Sequence, residues 1–214
     1  MLSVSEKSLL VLTIAAAALA LALMNSHPAL AVALALAAAS VGNASCSKIG
    51  NARYVQTSPP VFDVGHALLP RVRIPTPAML CLEWAWVPFF LMQPAGVRWK
   101  IATEAAPRFA ALMALRAITT NATILPADAQ CTEDLEPLWR RLTAGGCQDK
   151  IFSGHTAAAA LVSLSLVKYG VWSAPAGWGY TAAVMAAMLV TRGHYTVDVV
   201  LGAALAYLIW RVQF

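Results

Sequence analysis

The chain has 214 residues, 59% of them hydrophobic and only 12% charged, with a mean hydropathy of +0.66. Soluble domains carry about 25% charged residues, so this composition argues against an ordinary water-soluble domain and for a membrane protein. The formal net charge of +5 suits anionic lipid headgroups, whereas the basic residues form no run or stripe and make nucleic acid a poor partner.

Apolar stretches at 8–24, 29–42, 77–93, 105–124, 153–171, 176–191 and 195–212 are the predicted spans. A helix needs roughly 20 mostly apolar residues to cross the hydrocarbon core, and the last five stretches fit with their flanks. Two readings stand for 8–42: Asn25-Ser-His-Pro28 turns a short hairpin, or Pro28 kinks one tilted helix. Lys7 before an apolar run resembles a signal peptide, but apolar sequence continues directly after it, which favours a retained signal anchor. His27 is read as a turn residue. The expected architecture is all-α: a polytopic transmembrane helical bundle of six core spans, with room for an extra N-terminal span. With no repeat and no long linker, 1–214 reads as a single integral membrane domain, an N-terminal span region (1–58) followed by a core (59–214).

The polar segments are 43–76 and 125–150, with short turns near 94–104, 170–175 and 192–194. Cys46, Cys81, Cys131 and Cys147 follow no metal spacing, and no cofactor or metal is expected. Cys131 and Cys147 share one polar loop and are bridged only if it faces an oxidising compartment. Asn43-Ala-Ser45 and Asn121-Ala-Thr123 match the glycosylation pattern, the second too close to the membrane to be used. Trp84, Trp86 and Trp99 read as interfacial anchors, and Arg140-Arg141 as a headgroup contact or a solvated face.

Two motifs carry the chemistry, Phe152-Ser-Gly-His-Thr156 and Gly193-His-Tyr-Thr-Val-Asp198. Each opens an apolar stretch, which puts His155 and His194 at helix N-termini near the membrane surface. If 153–171 crosses and 176–191 returns, 195–212 starts on the face where 153–171 started. The same counting brings the end of 105–124, with Arg116, and the start of 77–93, with Glu83, to that face. His155, His194, Asp198, Arg116 and Glu83 are therefore expected at one end of the bundle. His194 and Asp198, four residues apart, share a helical face. A carboxylate there holds an imidazole in one tautomer and stabilises its cation. A His–Asp pair that only fastens helices is the competing reading; the second histidine at the same depth weighs against it.

Ser153 is expected to cap its helix, and Gly154 to let a ligand approach backbone amides that favour phosphate. Arg116 either clamps a phosphate oxygen or snorkels. Glu83 is an intramembrane acid, either functional or simply paired with Arg116. Asp149 and Lys150 position the Ser-Gly-His turn or the substrate, or are solvated loop charges.

At these residues the chain resembles the sphingomyelin synthase family, within the lipid phosphatase/phosphotransferase (PAP2) superfamily. The markers stand in order: Pro59-Pro60 with Asp63, Glu83, Arg116-Ala-Ile-Thr119 with Leu125-Pro126, Cys147-Gln-Asp149, Phe152-Ser-Gly-His-Thr156 and His194-Tyr-Thr-Val-Asp198. The resemblance implies a catalytic triad of His155, His194 and Asp198 facing the lumen or cell exterior. It further implies two-step headgroup transfer from a phospholipid donor to a lipid alcohol acceptor such as ceramide, through a phosphohistidine. Thr191-Arg-Gly193 is closer to plant-type phosphatidylcholine:diacylglycerol cholinephosphotransferases. A fuller phosphatase pattern would need a Lys–Arg–Pro element, absent here, and would use water as acceptor. Arg98, Lys100 and Arg108 in the short segment near 94–108 favour a cytoplasmic placement for the opposite end. Ala-rich spans permit close packing and leave a homo-oligomer open.

Overall fold

A computed structural model describes residues 4–23, 25–53, 61–123, 125–126 and 150–212, and within them every regular element is an α-helix. The order is α1 (Val4–Ala22), α2 (Pro28–Arg53), α3 (Val64–Leu68), α4 (Thr76–Glu83), α5 (Val87–Leu91), α6 (Ala95–Ala122), α7 (Gly154–Lys168), α8 (Ala174–Val190) and α9 (Thr196–Arg211).

The N-terminal apolar region is a hairpin, not one kinked helix. Pro28 opens α2, where its missing N–H is not needed, and the His27 amide closes the turn on the Leu23 carbonyl at 2.8 Å. The expected single span over 77–93 is broken into α4 and α5. Pro88 cannot donate to the carbonyl of Trp84 and its ring crowds that group, so the first helix ends at Glu83 and a second starts at Val87. The polar turn expected near 94–104 is instead the first part of α6, which starts after Pro94 and continues through Pro107. The segment 43–76, read as polar loop, contains the end of α2 and all of α3. Cys131, Cys147, Arg140, Arg141, Pro59, Pro60 and the Asn43-Ala-Ser45 side chains lie outside the described residues.

The long α6 lies between two layers. On one side, Ala17 and Ala20 of α1 and Ala35 and Ala38 of α2 meet Ala110 and Ala114, and these methyl-sized side chains let the backbones approach closely. On the other side, Leu112 and Met113 pack with Phe152, Ala157, Ala160 and Leu161 at the start of α7 and with Ala206 of α9. A third cluster, Ala159, Val184, Met188 and Val199, joins α7, α8 and α9. α7 ends in a turn whose Gly170 has φ 70, a left-handed conformation that suits glycine.

Among the described residues no helix is both long and apolar enough to cross a membrane. That corrects the expected spans. α7, α8 and α9 have 15, 17 and 16 residues, which at a 1.5 Å rise reach only about 23–26 Å against a core of roughly 30 Å. The longer α6 carries Arg98, Lys100, Glu104, Arg108 and Arg116.

Helices α7 and α9 cross closely at Gly202. A Cβ on Gly202 would stand 2.6 Å from the Ser153 carbonyl oxygen and 3.3 Å from Thr156 Cβ. Gly202→Ala is therefore expected to lower stability by about 1–3 kcal/mol, the range for overpacking a filled core, seen as a fall in the thermal midpoint in detergent. Gly96→Ala, inside α6 with open space around the new methyl, should not lower the midpoint, since alanine favours a helix over glycine.

Candidate active site

The site forms where the first turns of α7 and α9 meet the end of α6. Ser153 is the N-cap of α7, its hydroxyl oxygen accepting the Thr156 amide at 3.3 Å, and its own amide donates to the Asp198 carbonyl at 3.0 Å. That second bond ties the two N-termini together and puts His155, on the first turn of α7, beside His194, just before α9. Their ring centroids are 6.0 Å apart and the ring planes are inclined at 62°.

His194 is held through Nδ1. That nitrogen lies 3.1 Å from the Lys150 carbonyl oxygen and 3.4 Å from Asp198 Oδ2. A carbonyl oxygen only accepts, so Nδ1 carries the proton and Nε2 keeps its lone pair. Asp198 is fully buried, an expensive place for a carboxylate. Its Oδ2 also accepts the Tyr195 amide at 3.0 Å, while Oδ1 has no hydrogen-bond partner among the described residues. The Tyr195 hydroxyl reaches back to the Pro126 carbonyl at 3.0 Å, fastening the residues after α6 over the site.

Two buried cations flank the histidines. Arg116 is 2% exposed and donates Nε–H to the Phe152 carbonyl at 2.9 Å. This is a residue built into the base of the Ser-Gly-His turn, not one snorkelling to a membrane surface. Gly154 packs against it: a Cβ there would stand 3.2 Å from Arg116 Nε, close enough that the guanidinium would have to shift by a few tenths of an ångström. One turn along α6, Thr119 and Thr120 donate to the Ile151 carbonyl at 2.9 and 2.8 Å, so α6 grips residues 151–152 at three points. Lys150 is also buried, and its ammonium donates to the Gly193 carbonyl. It brackets His194 from both sides and is not a solvated loop charge.

Glu83, at the end of α4, has Oε1 3.5 Å from His155 Nε2. Its backbone carbonyl accepts the Tyr180 hydroxyl at 2.8 Å, which joins α4 to α8. Each histidine thus has its own carboxylate, Glu83 for His155 and Asp198 for His194. The structure brings His155, His194, Asp198, Arg116, Ser153, Gly154 and Glu83 to one end of the bundle; Asp149 lies outside the described residues. Among the described residues no group of three His, Cys, Asp or Glu is arranged to hold a metal ion.

Several residues that hold this arrangement have no structural role assigned from the sequence, although Asp63 and Arg192 appear there within family markers. Arg192 has φ 60, left-handed for a non-glycine residue, and its guanidinium donates to the carbonyls of His66 and Leu69, each at 2.9 Å. Asp63, Gly65 and His66 surround Thr196 and the His194 carbonyl. The positional signals are faint: Asp63 stands as the N-cap of a five-residue helix, and its contacts with α9 span 133 residues of sequence.

Residues 146–214 match the family described as PAP2 superfamily C-terminal. The matched segment covers α7, α8 and α9, with both histidines and Asp198. The match supports the PAP2 superfamily and phosphatase or phosphotransferase chemistry on phosphate esters. No curated protein matches the chain.

An Asn at position 198 keeps an oxygen for the Tyr195 amide but removes the charge facing His194. Asp198→Asn is expected to leave a folded protein whose turnover of a phosphate ester is lower by roughly 10²–10⁴-fold, by analogy with a triad aspartate. A wild-type rate in a phosphate-release or headgroup-transfer assay would remove Asp198 from the site.

Proposed function

We propose that this chain is a membrane phosphotransferase that moves the headgroup of a glycerophospholipid, phosphocholine or similar, to a lipid alcohol such as ceramide through a phosphohistidine on His194. The observation that carries this reading is the pair of imidazoles 6.0 Å apart, one with its Nδ1 proton fixed by Lys150 and Asp198. That spacing leaves room for one phosphoryl group between the rings, and the fixed tautomer leaves Nε2 of His194 as the nucleophile.

In the first half-reaction Nε2 attacks phosphorus, the bond from phosphorus to the diacylglycerol oxygen breaks, and His155 gives that oxygen a proton. Asp198 stabilises the charge that develops on His194. In the second, neutral His155 takes the proton of the acceptor hydroxyl, whose oxygen attacks phosphorus and frees His194. Glu83 orients His155 and stabilises its protonated form. Arg116, with the amides that open α7 at Ser153 and Gly154, offsets negative charge on the phosphoryl oxygens. Asp149, next to Lys150 in sequence, is proposed to contribute to substrate binding.

A membrane setting is supported by the apolar exterior. Val11, Leu12 and Leu19 of α1 and Val200 and Leu208 of α9 are all about half exposed or more, more than a water-facing surface favours. Helices shorter than the bilayer are accommodated by local thinning and by flanking cations that snorkel. The active end is assigned to the non-cytoplasmic face, because Arg98, Lys100 and Arg108 lie toward the other end of α6.

Hydrolysis with water as acceptor is the second reading, since phosphatase chemistry is equally supported by the family match. Transfer to diacylglycerol is the third, favoured by Thr191-Arg-Gly193. Purified protein incubated with labelled phosphatidylcholine plus ceramide, diacylglycerol or water alone separates them: sphingomyelin, exchanged phosphatidylcholine or free phosphocholine is the respective product. His194→Ala is expected to abolish all three while the protein stays folded in detergent; residual turnover at the wild-type rate would rule out His194 as nucleophile.

A further inference from the structure

The polar segment that precedes α4 returns to the candidate site and fastens the N-terminus of α9. Asp63, whose side chain is 7% exposed, accepts the Thr196 amide on Oδ2 at 2.7 Å and the Thr196 hydroxyl on Oδ1 at 2.8 Å. The same Oδ1 accepts the His66 amide at 2.9 Å. The Thr196 hydroxyl oxygen in turn accepts the Gly65 amide at 3.0 Å, and a Cβ at Gly65 would collide with it. His66 Nε2 donates to the His194 carbonyl at 2.9 Å. From the other side, Arg192 holds the carbonyls of His66 and Leu69, and the Val72 amide donates to the Val190 carbonyl at 2.9 Å. Residues 192–196 are therefore clamped by α3 and its flanks, and His194 is in the middle of the clamped stretch.

We propose that Asp63 is a positioning residue of the transfer reaction, acting through Thr196 and the α3 backbone to fix where the His194 imidazole stands. This rests on the reading of His194 as the nucleophile. Asp63 touches neither histidine ring, so its effect falls on the geometry of attack and not on the binding of lipid. Helix α9 begins at Thr196, whose amide is one of the helix donors that lack an intrahelical acceptor. Asp63 supplies that acceptor and adds a negative charge at the positive end of the helix. Burial alone would raise the Asp63 carboxyl, but the His66 and Thr196 amides and the Thr196 hydroxyl hold it below its ordinary 3.8. The clamp is thus complete above that pH and is lost only as pH falls through the lowered value.

The test uses the full chain in detergent with labelled phosphatidylcholine and ceramide, and with water alone. Asp63→Ala should lower kcat by roughly 10²-fold, the scale of a misplaced catalytic group, with KM within about twofold. Thr196→Val should lower kcat about tenfold and Thr196→Ser should restore it. The Asp63→Ala/Thr196→Val double variant should be no slower than Asp63→Ala, because both break one linkage. Unchanged kcat, a rise in KM without loss of kcat, or losses that multiply would each overturn the proposal. If Asp63→Ala does not fold, the Thr196 pair decides: equal rates for Val and Ser overturn it. Hydrogen exchange supplies a readout independent of turnover, with amides 192–196 losing protection in Asp63→Ala while those of α1 and α2 do not. If the wild type processes neither acceptor, the functional reading fails, yet the clamp is still judged by that exchange, and unchanged protection at 192–196 rejects it.

Discussion

The candidate site depends on one contact, the approach of α9 to the first turn of α7. Two helix N-termini carry like partial charges and unsatisfied amides, so they do not meet by default. Here Gly202 removes the side chain that would separate them, and the Ser153 amide donates to the Asp198 carbonyl. The positive helix ends are then balanced locally, by Asp198 within α9 and by Asp63 against it. With this contact in place, His155 and His194 face each other; a wider crossing would separate them whatever their own rotamers.

The second constraint is electrostatic. Arg116 and Lys150 are almost fully buried, as are His194 and Asp198. Such groups are tolerated only if each is hydrogen-bonded. Three of the bonds that satisfy them end on backbone carbonyls of the same short stretches, Phe152 for Arg116, Gly193 for Lys150 and Lys150 for His194. The polar groups that would otherwise destabilise the interior are thereby made to hold the loops 150–153 and 192–195. Arg116 and Lys150 place two positive charges beside the histidines, against the carboxylates of Glu83 and Asp198, and cations so placed suit an anionic phosphoryl group.

Much of this geometry was legible in the sequence because helices obey counting rules. Apolar runs located α1, α2, α6, α7, α8 and α9, and counting alternate helix directions put His155, His194, Asp198, Arg116 and Glu83 at one end. Glu83 reads in the sequence as a functional acid or a partner of Arg116, and its carboxylate stands next to His155; which neighbours a side chain meets depends on helix rotation, which parity does not encode. Span 77–93 was misread because hydropathy is blind to the break that Pro88 imposes. The α3 clamp was out of reach for a different reason. Asp63, Gly65 and His66 act on residues more than 120 positions away, and no local pattern records such a pairing.

Helix length connects the site to its proposed setting. Glu104 near one end of α6 binds Lys168 and Tyr169 at the end of α7, while Arg116 binds the start of the α7 region. From Glu104 to Arg116 the axis of α6 rises only about 18 Å, so two polar rims enclose an apolar layer thinner than a bilayer of roughly 30 Å. In the membrane setting proposed above, at least one rim must sink below the headgroups or the lipid must thin around it. Where the lipid thins, its headgroups come down to the histidine rim and the phosphoester meets the imidazoles there, so the donor need not be drawn far out of the bilayer. The protein itself already keeps bulk water from Arg116, Lys150 and Asp198, which strengthens their fields at the site. Short helices and a polar rim whose charges are mostly paired within the protein are therefore two aspects of one arrangement, because an unpaired charge at that depth is costly.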